Sequence, residues 1–127
     1  MASLKLTKLE MEVMESVWRA GAPVSVREIQ EGLGREAAYT TVQTIVGRLE
    51  EKGALRRVKK IGNAYLFEAV VTRKAVQKRF VDELLELFGG SAAPLISHLI
   101  ETKKLTLEDI REAEAELERA RARRKGR

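Results

Sequence analysis

The sequence predicts a mostly α-helical fold with one small β-hairpin, arranged in two parts. Two observations predict the first part. Three amphipathic helices follow one another over residues 1–53, and a basic, alternating segment at 55–68 doubles back around a Gly-Asn pair. A third observation predicts the second part. From Thr72 the apolar positions keep a helical period as far as Leu117, broken by Gly89-Gly90 and restarted at Thr106.

The first helix opens on a T-x-x-E capping box, Thr7 with Glu10, and Leu6 and Met11 are spaced as its hydrophobic staple. Leu9, Val13 and Val17, with Met14 and Trp18, supply its buried face. Gly21 and Pro23 end it. Val24 predicts a very short strand. Ser25 and Glu28 form a second capping box, and Val26, Ile29 and Leu33 point inward before the helix closes near Gly34.

The third helix spans AYTTVQTIVGRLEEKG, Ala38 to Gly53. Val42, Ile45, Val46 and Leu49 sit at i, i+3, i+4 and i+7 and make a continuous apolar stripe. Thr40, Gln43, Thr44 and Gly47 occupy the opposite face, flanked by Thr41 and Arg48. A solvated helix face is usually filled with Lys and Glu. This one carries short hydrogen-bonding groups and a single guanidinium. Gly53 is the expected C-cap. Leu55–Lys59 then alternates as a strand, Ile61-Gly62-Asn63 turns, and Tyr65–Glu68 pairs back. Helix, helix, polar helix, basic hairpin is the order of a winged helix-turn-helix domain.

Beyond it, Thr72 caps a helix running to about Phe88. Val76, Phe80, Leu84 and Leu87 form one stripe, with Val81, Leu85 and Phe88 beside it. A shorter helix, 92–101, tolerates Pro94 in its first turn and carries Leu95, Ile96, Leu99 and Ile100. Thr106 and Asp109 cap a last helix, with Leu105 and Ile110 as staple and Leu107, Ala113 and Leu117 along its length. Roughly fifty residues of helix with so much apolar surface should not stand alone as a monomer. A second copy would bury it, which makes Phe80, Leu84, Leu85, Leu87, Phe88, Leu95, Ile96, Leu99, Ile100, Ile110 and Leu117 the expected dimerisation residues. The other arrangement is a three-helix cap folded onto the first domain. The expected organisation is therefore a DNA-binding domain at 1–71, an α-helical dimerisation domain at 72–122, and a basic, disordered tail at 123–127.

Composition narrows the function. The chain has 127 residues, 44% apolar and 34% charged, enough for one domain or a compact unit with an extension. No apolar run approaches the ~18 residues of a membrane span, and the N-terminus lacks a secretory h-region. There is no cysteine, so disulfides and thiolate metal sites are excluded, and a reducing cytoplasm is the expected compartment. The net charge of +5 is unevenly placed. Residues 35–60 hold seven basic and three acidic groups, and the last nine, RARARRKGR, hold six basic and none acidic. Both segments would attract a polyanion.

An enzyme is not expected. His98 is the sole histidine, and its apolar helix makes it a surface or interface residue. There is no nucleophile–base motif and no Gly-rich phosphate loop. One histidine and no cysteine cannot build a sensor metal site, so no cofactor or metal is expected.

Double-stranded DNA is the expected partner. The major groove accepts one α-helix, whose N-terminal part reaches base edges. Gln43 can exchange hydrogen bonds with adenine. Thr40, Thr41 and Thr44 can bind phosphate or place a methyl against thymine. Arg48 can clamp a phosphate or guanine, and Arg56, Arg57, Lys59 and Lys60 suit flanking phosphates. The competing class is an adaptor that docks the same helix face on another protein.

Three segments, in order, resemble the penicillinase-repressor family (BlaI/MecI/CopY type). LTKLEMEVMESVW resembles its opening helix, YTTVQTIVGRLEEKGAL its recognition helix and wing start, and LFGGSAAPLISHLIE its hinge and dimer helix. The resemblance implies a homodimeric repressor acting on palindromic operators. By position it carries DNA contact onto Thr40, Thr41, Gln43, Thr44 and Arg48, with the wing near Lys59 and Lys60. Many relatives have Arg at the wing tip, where this chain has Ile61-Gly62-Asn63. Resistance-system relatives are inactivated by proteolysis between Asn and Phe, under control of a membrane sensor protease. The aligned bond here is His98-Leu99. The cysteine cluster of copper-responsive relatives is missing.

Overall fold

Reciprocal caps start three of the helices. The side chains of Thr7, Ser25 and Thr106 accept from the backbone N–H of Glu10, Glu28 and Asp109, whose carboxylates in turn accept from the cap residues' own N–H groups. The computed structural model describes residues 5–126. Residues 1–4 and Arg127, the last cation of the basic tail, lie outside the described residues. The elements are α1 (Lys8–Ala20), α2 (Val26–Gly32), α3 (Tyr39–Glu51), β1 (Leu55–Ile61), β2 (Ala64–Ala69), α4 (Arg73–Leu87), α5 (Ala93–Glu101) and α6 (Leu107–Lys125). They fall into two compact units, the first through Asp82 and the second from Glu83.

The core of the first unit lies among α1, α2, α3 and the hairpin. Val13, Met14, Ile29, Val42 and Leu49 are fully buried there, with Phe67 from β2 alongside. The short strand expected at Val24 is a single bridge to Phe67, with N–H···O bonds of 2.9 and 2.8 Å in the two directions. Helices α1 and α2 approach closely. Ser16 Oγ donates to the Ile29 carbonyl at 3.2 Å, and a Cβ added at Gly32 would sit 2.5 Å from the serine Oγ.

β1 and β2 pair antiparallel around the Gly62-Asn63 turn. Gly62 takes φ +59°, the conformation that a two-residue turn with glycine first requires. The register pairs Arg57 with Phe67, then jumps, so that Lys59 faces Leu66 and Lys60 faces Tyr65. Val58 is thus the extra residue of a β-bulge. Arg57 and Lys60 consequently share one face of the wing with Tyr65 and Phe67, while Arg56 and Lys59 share the other.

The first unit extends further than the expected boundary at residue 71. Trp18 Nε1 donates to the Val71 carbonyl at 3.0 Å, and the Arg73 guanidinium makes two 3.0 Å bonds to Glu15. These ties dock the start of α4 on α1. Val76 is then fully buried, and Phe80 packs against the same core. Phe80, expected on a dimer face, therefore has part of its surface covered within its own chain.

The second unit comprises the end of α4, α5 and α6. Its two inter-helix turns close alike. Gly90 N–H donates to Leu85 O at 2.8 Å and Gly89 N–H to Glu86 O at 3.1 Å; Lys104 N–H donates to Leu99 O at 2.8 Å and Lys103 N–H to Ile100 O at 3.1 Å. Both are Schellman motifs, but the left-handed position is Gly89 in one and Lys103, at φ +59°, in the other. No described residue of this unit is buried. Leu87 is 83% exposed and Leu117 70%. Residues 123–125 differ from the expected disordered tail, because α6 continues through Lys125. Arg and Ala are strong helix formers, and cations in the last turn meet the negative end of the helix dipole.

The Gly32–Ser16 contact should appear as non-additivity. In the wild-type background Gly32→Ala displaces the serine hydroxyl and its hydrogen bond. In a Ser16→Ala background the same change gains helix propensity without a clash. Urea unfolding of the four proteins should give a coupling energy of about 1–2 kcal/mol; additive effects would contradict the packing described.

Candidate nucleic-acid interface

Helix α3 is held from behind and from its C-terminal end. Val42, Ile45, Val46 and Leu49 bury its inner stripe, as the spacing predicts. Lys52 is the C-cap, and Gly53, one residue on, takes the left-handed φ of +79°. Gly53 N–H donates to Glu50 O at 3.0 Å and Ala54 N–H to Leu49 O at 2.9 Å, a third Schellman motif. Lys52 Nζ reaches back to Glu10 Oε1 at 2.6 Å and to the Lys5 carbonyl at 3.0 Å. Glu10 is 2% exposed. Burial alone would raise its pKa, but the hydrogen bonds from Lys52 and Thr7 outweigh burial and hold the carboxyl below its ordinary value.

The outer face of α3 presents Thr40, Thr41, Gln43, Thr44 and Arg48, all exposed. Thr44 Oγ1 donates to the Thr40 carbonyl at 2.9 Å. Its hydroxyl hydrogen is thereby committed, and it offers a ligand an acceptor and a methyl group. Arg48 has no ion pair among the described residues. Gly47 has no atom within 4 Å of where a Cβ would lie, so α3 is open to close approach there.

The four wing cations divide by partner. Arg56 is paired with Glu68 through Nε, at 2.8 Å, and through a terminal nitrogen. Arg57 donates through Nε to Glu50 on α3 at 3.0 Å, and its guanidinium carbon lies 4.4 Å from the centre of the Tyr65 ring. Lys60 Nζ lies 5.2 Å from the same ring. Lys59, on the opposite face, is exposed and has no ion pair among the described residues. The sequence reading treats these four as equivalent phosphate ligands. In the fold Arg56 is paired with Glu68, and Arg57 bridges wing and helix.

Between α3 and the wing runs a cleft of about 330 Å³, lined among others by Arg27, Tyr39, Gln43, Gly47, Glu50, Arg57 and Tyr65. Arg27 stacks over Tyr39 at 5.4 Å. Sequence reasoning missed Arg27, Tyr39, Glu50 and Tyr65 as members of this surface. The signal available was the pairing of each tyrosine with an arginine, but their separation along the chain hides it. Among the described residues no group of acidic, His or Cys side chains could hold a metal ion, and no helix is long and apolar enough to cross a membrane.

A buried-backed polar helix, two supporting helices and a basic two-stranded wing define a winged-helix transcriptional regulator. The chain belongs to the penicillinase repressor family, whose pattern it matches over residues 6–119. It is 33% identical over 119 residues to the transcriptional regulator BlaI of Mycobacterium tuberculosis, in strains CDC 1551 and H37Rv, covering 90% of this chain and 86% of that one. Among solved structures, a mutant MarR from E. coli complexed with operator DNA is similar at TM-score 0.52 and 20% identity, over 92% of this chain and 76% of that one. Wild-type apo MarR from E. coli gives TM-score 0.51 at 20% identity, over 92% and 79%. These two likenesses speak to the fold. The family and its BlaI relative identify a regulator and not an enzyme.

Removing Lys52 should be costly, because it strands the buried carboxylate. Lys52→Met should lose about 3 kcal/mol in urea unfolding at neutral pH. The pH dependence has a definite sign. Glu10's contribution is fully present above the ordinary carboxyl value of 4.5 and is lost as pH falls through the lowered native value. Glu10→Gln should therefore flatten the acid limb of the stability profile, measured by unfolding at a series of pH values.

Proposed function

We propose that this protein is a homodimeric transcriptional repressor that binds a palindromic operator through α3 and the wing. One observation carries the reading. Helix α3 presents Thr40, Thr41, Gln43, Thr44 and Arg48 to solvent while its inner stripe is immobilised in the core. Membership of the penicillinase repressor family supports it, and so does the operator complex of the similarly folded MarR mutant.

In this reading Gln43 reads adenine, the threonines supply methyl and phosphate contacts, and Arg48 and Lys59 neutralise phosphates. The second unit supports dimerisation, because it has no buried residue among those described. Leu84, Leu85, Leu87, Phe88, Leu95, Ile96, Leu99, Ile100, Ile110 and Leu117 become the inter-subunit surface, joined by the uncovered part of Phe80. Two α3 helices then enter successive major grooves roughly 34 Å apart. Repression is relieved when a membrane sensor protease cuts at His98-Leu99. That bond lies inside α5, so cleavage requires α5 to unwind first.

Selection from random duplexes, read beside the molar mass in solution, tests the reading. An inverted repeat with half-sites one helical turn apart is expected, along with a dimer. Neutralising about six phosphates should give a log–log salt slope near −5. Gln43→Ala or Thr44→Ala should shift sequence preference, whereas Lys59→Ala should weaken all duplexes alike. A monomer, or binding that ignores salt, would favour a protein-docking adaptor instead.

A further inference from the structure

The cleft between α3 and the wing contains a more specific arrangement than basic charge alone requires. We propose that it is a phosphodiester site, in which Arg57 and Arg27 grip one sugar–phosphate strand of duplex DNA and Glu50 is the positioning residue that aims Arg57. This rests on the DNA-binding reading above and deepens it.

Arg57 is held by one edge. Its Nε donates to Glu50 Oε2 at 3.0 Å, and its plane lies against Tyr65 with the guanidinium carbon 4.4 Å from the ring centre. The terminal amino groups have no partner among the described residues. A guanidinium fixed in this way presents a two-pronged donor that matches two oxygens of one phosphate. Arg56 is different, because Glu68 takes both its Nε and a terminal nitrogen.

Arg27 comes to the cleft from α2. It rests over Tyr39 at 5.4 Å and has no ion pair among the described residues. Stacking on tyrosine restrains a cation without neutralising it. Gln43 and Gly47 line the same cleft, and the space above Gly47 is open to 4 Å. A strand whose bases meet Gln43 can therefore pass its backbone along the cleft, over a glycine that leaves room for it. Two cations from separate elements, continuous with the exposed face of α3, suit a running strand better than an isolated anion.

The test is an anisotropy titration of the full chain against two labelled duplexes, one with the selected inverted repeat and one scrambled, over a range of salt. Each substitution removes one phosphate contact per subunit, two per dimer, so Arg57→Ala and Arg27→Ala should each weaken both duplexes roughly sixtyfold at about 0.1 M salt and flatten the log–log slope by about 1.8. Arg57→Lys keeps the charge but not the fork. It should bind more weakly than wild type at every salt with the wild-type slope.

Glu50 separates positioning from charge by sign. Losing an anion beside DNA should tighten binding if charge were all that mattered. Positioning predicts that Glu50→Ala weakens both duplexes several-fold, that Glu50→Gln, which can still accept from Nε, binds at least as well as wild type, and that Glu50→Ala adds nothing once Arg57 is Ala. Tighter binding by Glu50→Ala, or unchanged affinity and slope in the Arg27 and Arg57 variants, would overturn the site. If wild type binds neither duplex, the DNA-binding reading itself falls. If wild type binds and Gln43→Ala still alters preference while the cleft variants behave as wild type, only the cleft assignment falls.

Discussion

The placement of α3 depends on a carboxylate that belongs to a different helix. Glu10 is the third residue of α1, where it closes the capping box, and is also the anion that receives Lys52 at the C-cap of α3. One buried group therefore starts α1 and anchors the end of α3. The start of α3 has no side-chain cap hydrogen bond at Ala38, so its placement comes from its far end and its inner stripe. A buried ion pair is not a strong source of stability by itself, because desolvation offsets much of the attraction. Its value here is geometric. The pair ties α1 to the end of α3, and together with the buried stripe it fixes where Thr40, Gln43 and Arg48 stand.

Charge at the proposed interface is sorted by hydrogen bonding more than by count. Two neighbouring arginines, Arg56 and Arg57, differ in the number of guanidinium edges they have left to offer. The bulge places Arg57 beside Lys60 and Tyr65, on the side that faces α3, and sends Lys59 to the other side. The wing thus has one face that is stacked and shaped and another that carries the Arg56–Glu68 pair and Lys59, which has no ion pair among the described residues. Sequence-independent attraction and fixed geometry can be supplied by different faces of the same two strands.

Much of this was legible in the chain. The three capping boxes, the inner stripe of α3, the hairpin turn and even the single-residue strand at Val24 follow from local spacing, because each is decided within a few residues. What was hidden depends on distant partners. Phe80 reads as part of a free stripe, and only the docking of α4 through Trp18 and Arg73 turns it toward the first core. The bulge at Val58 breaks the period-two pattern that assigns strand faces, so the sidedness of Lys59 and Lys60 could not be counted from the sequence. Arg27 and Tyr39 meet across a loop, and Glu50 reads as one more acid at a helix end until the wing folds against it. Positions 123–125 show the opposite error. Their charge density suggested disorder, yet their helix propensity and their place at the end of a dipole favour α6.

The extra residue at Val58 has a consequence for how such a wing can diverge. Dropping it would leave Arg57 opposite Phe67, Lys59 opposite Leu66 and Lys60 opposite Tyr65, as they are now, and would remove only the local bend and added twist that a bulge brings. Curvature and chemistry are therefore separate traits in this hairpin. A lineage could straighten or arch its wing to follow differently shaped duplexes by gaining or losing one amino acid, without exchanging a single cross-strand neighbour.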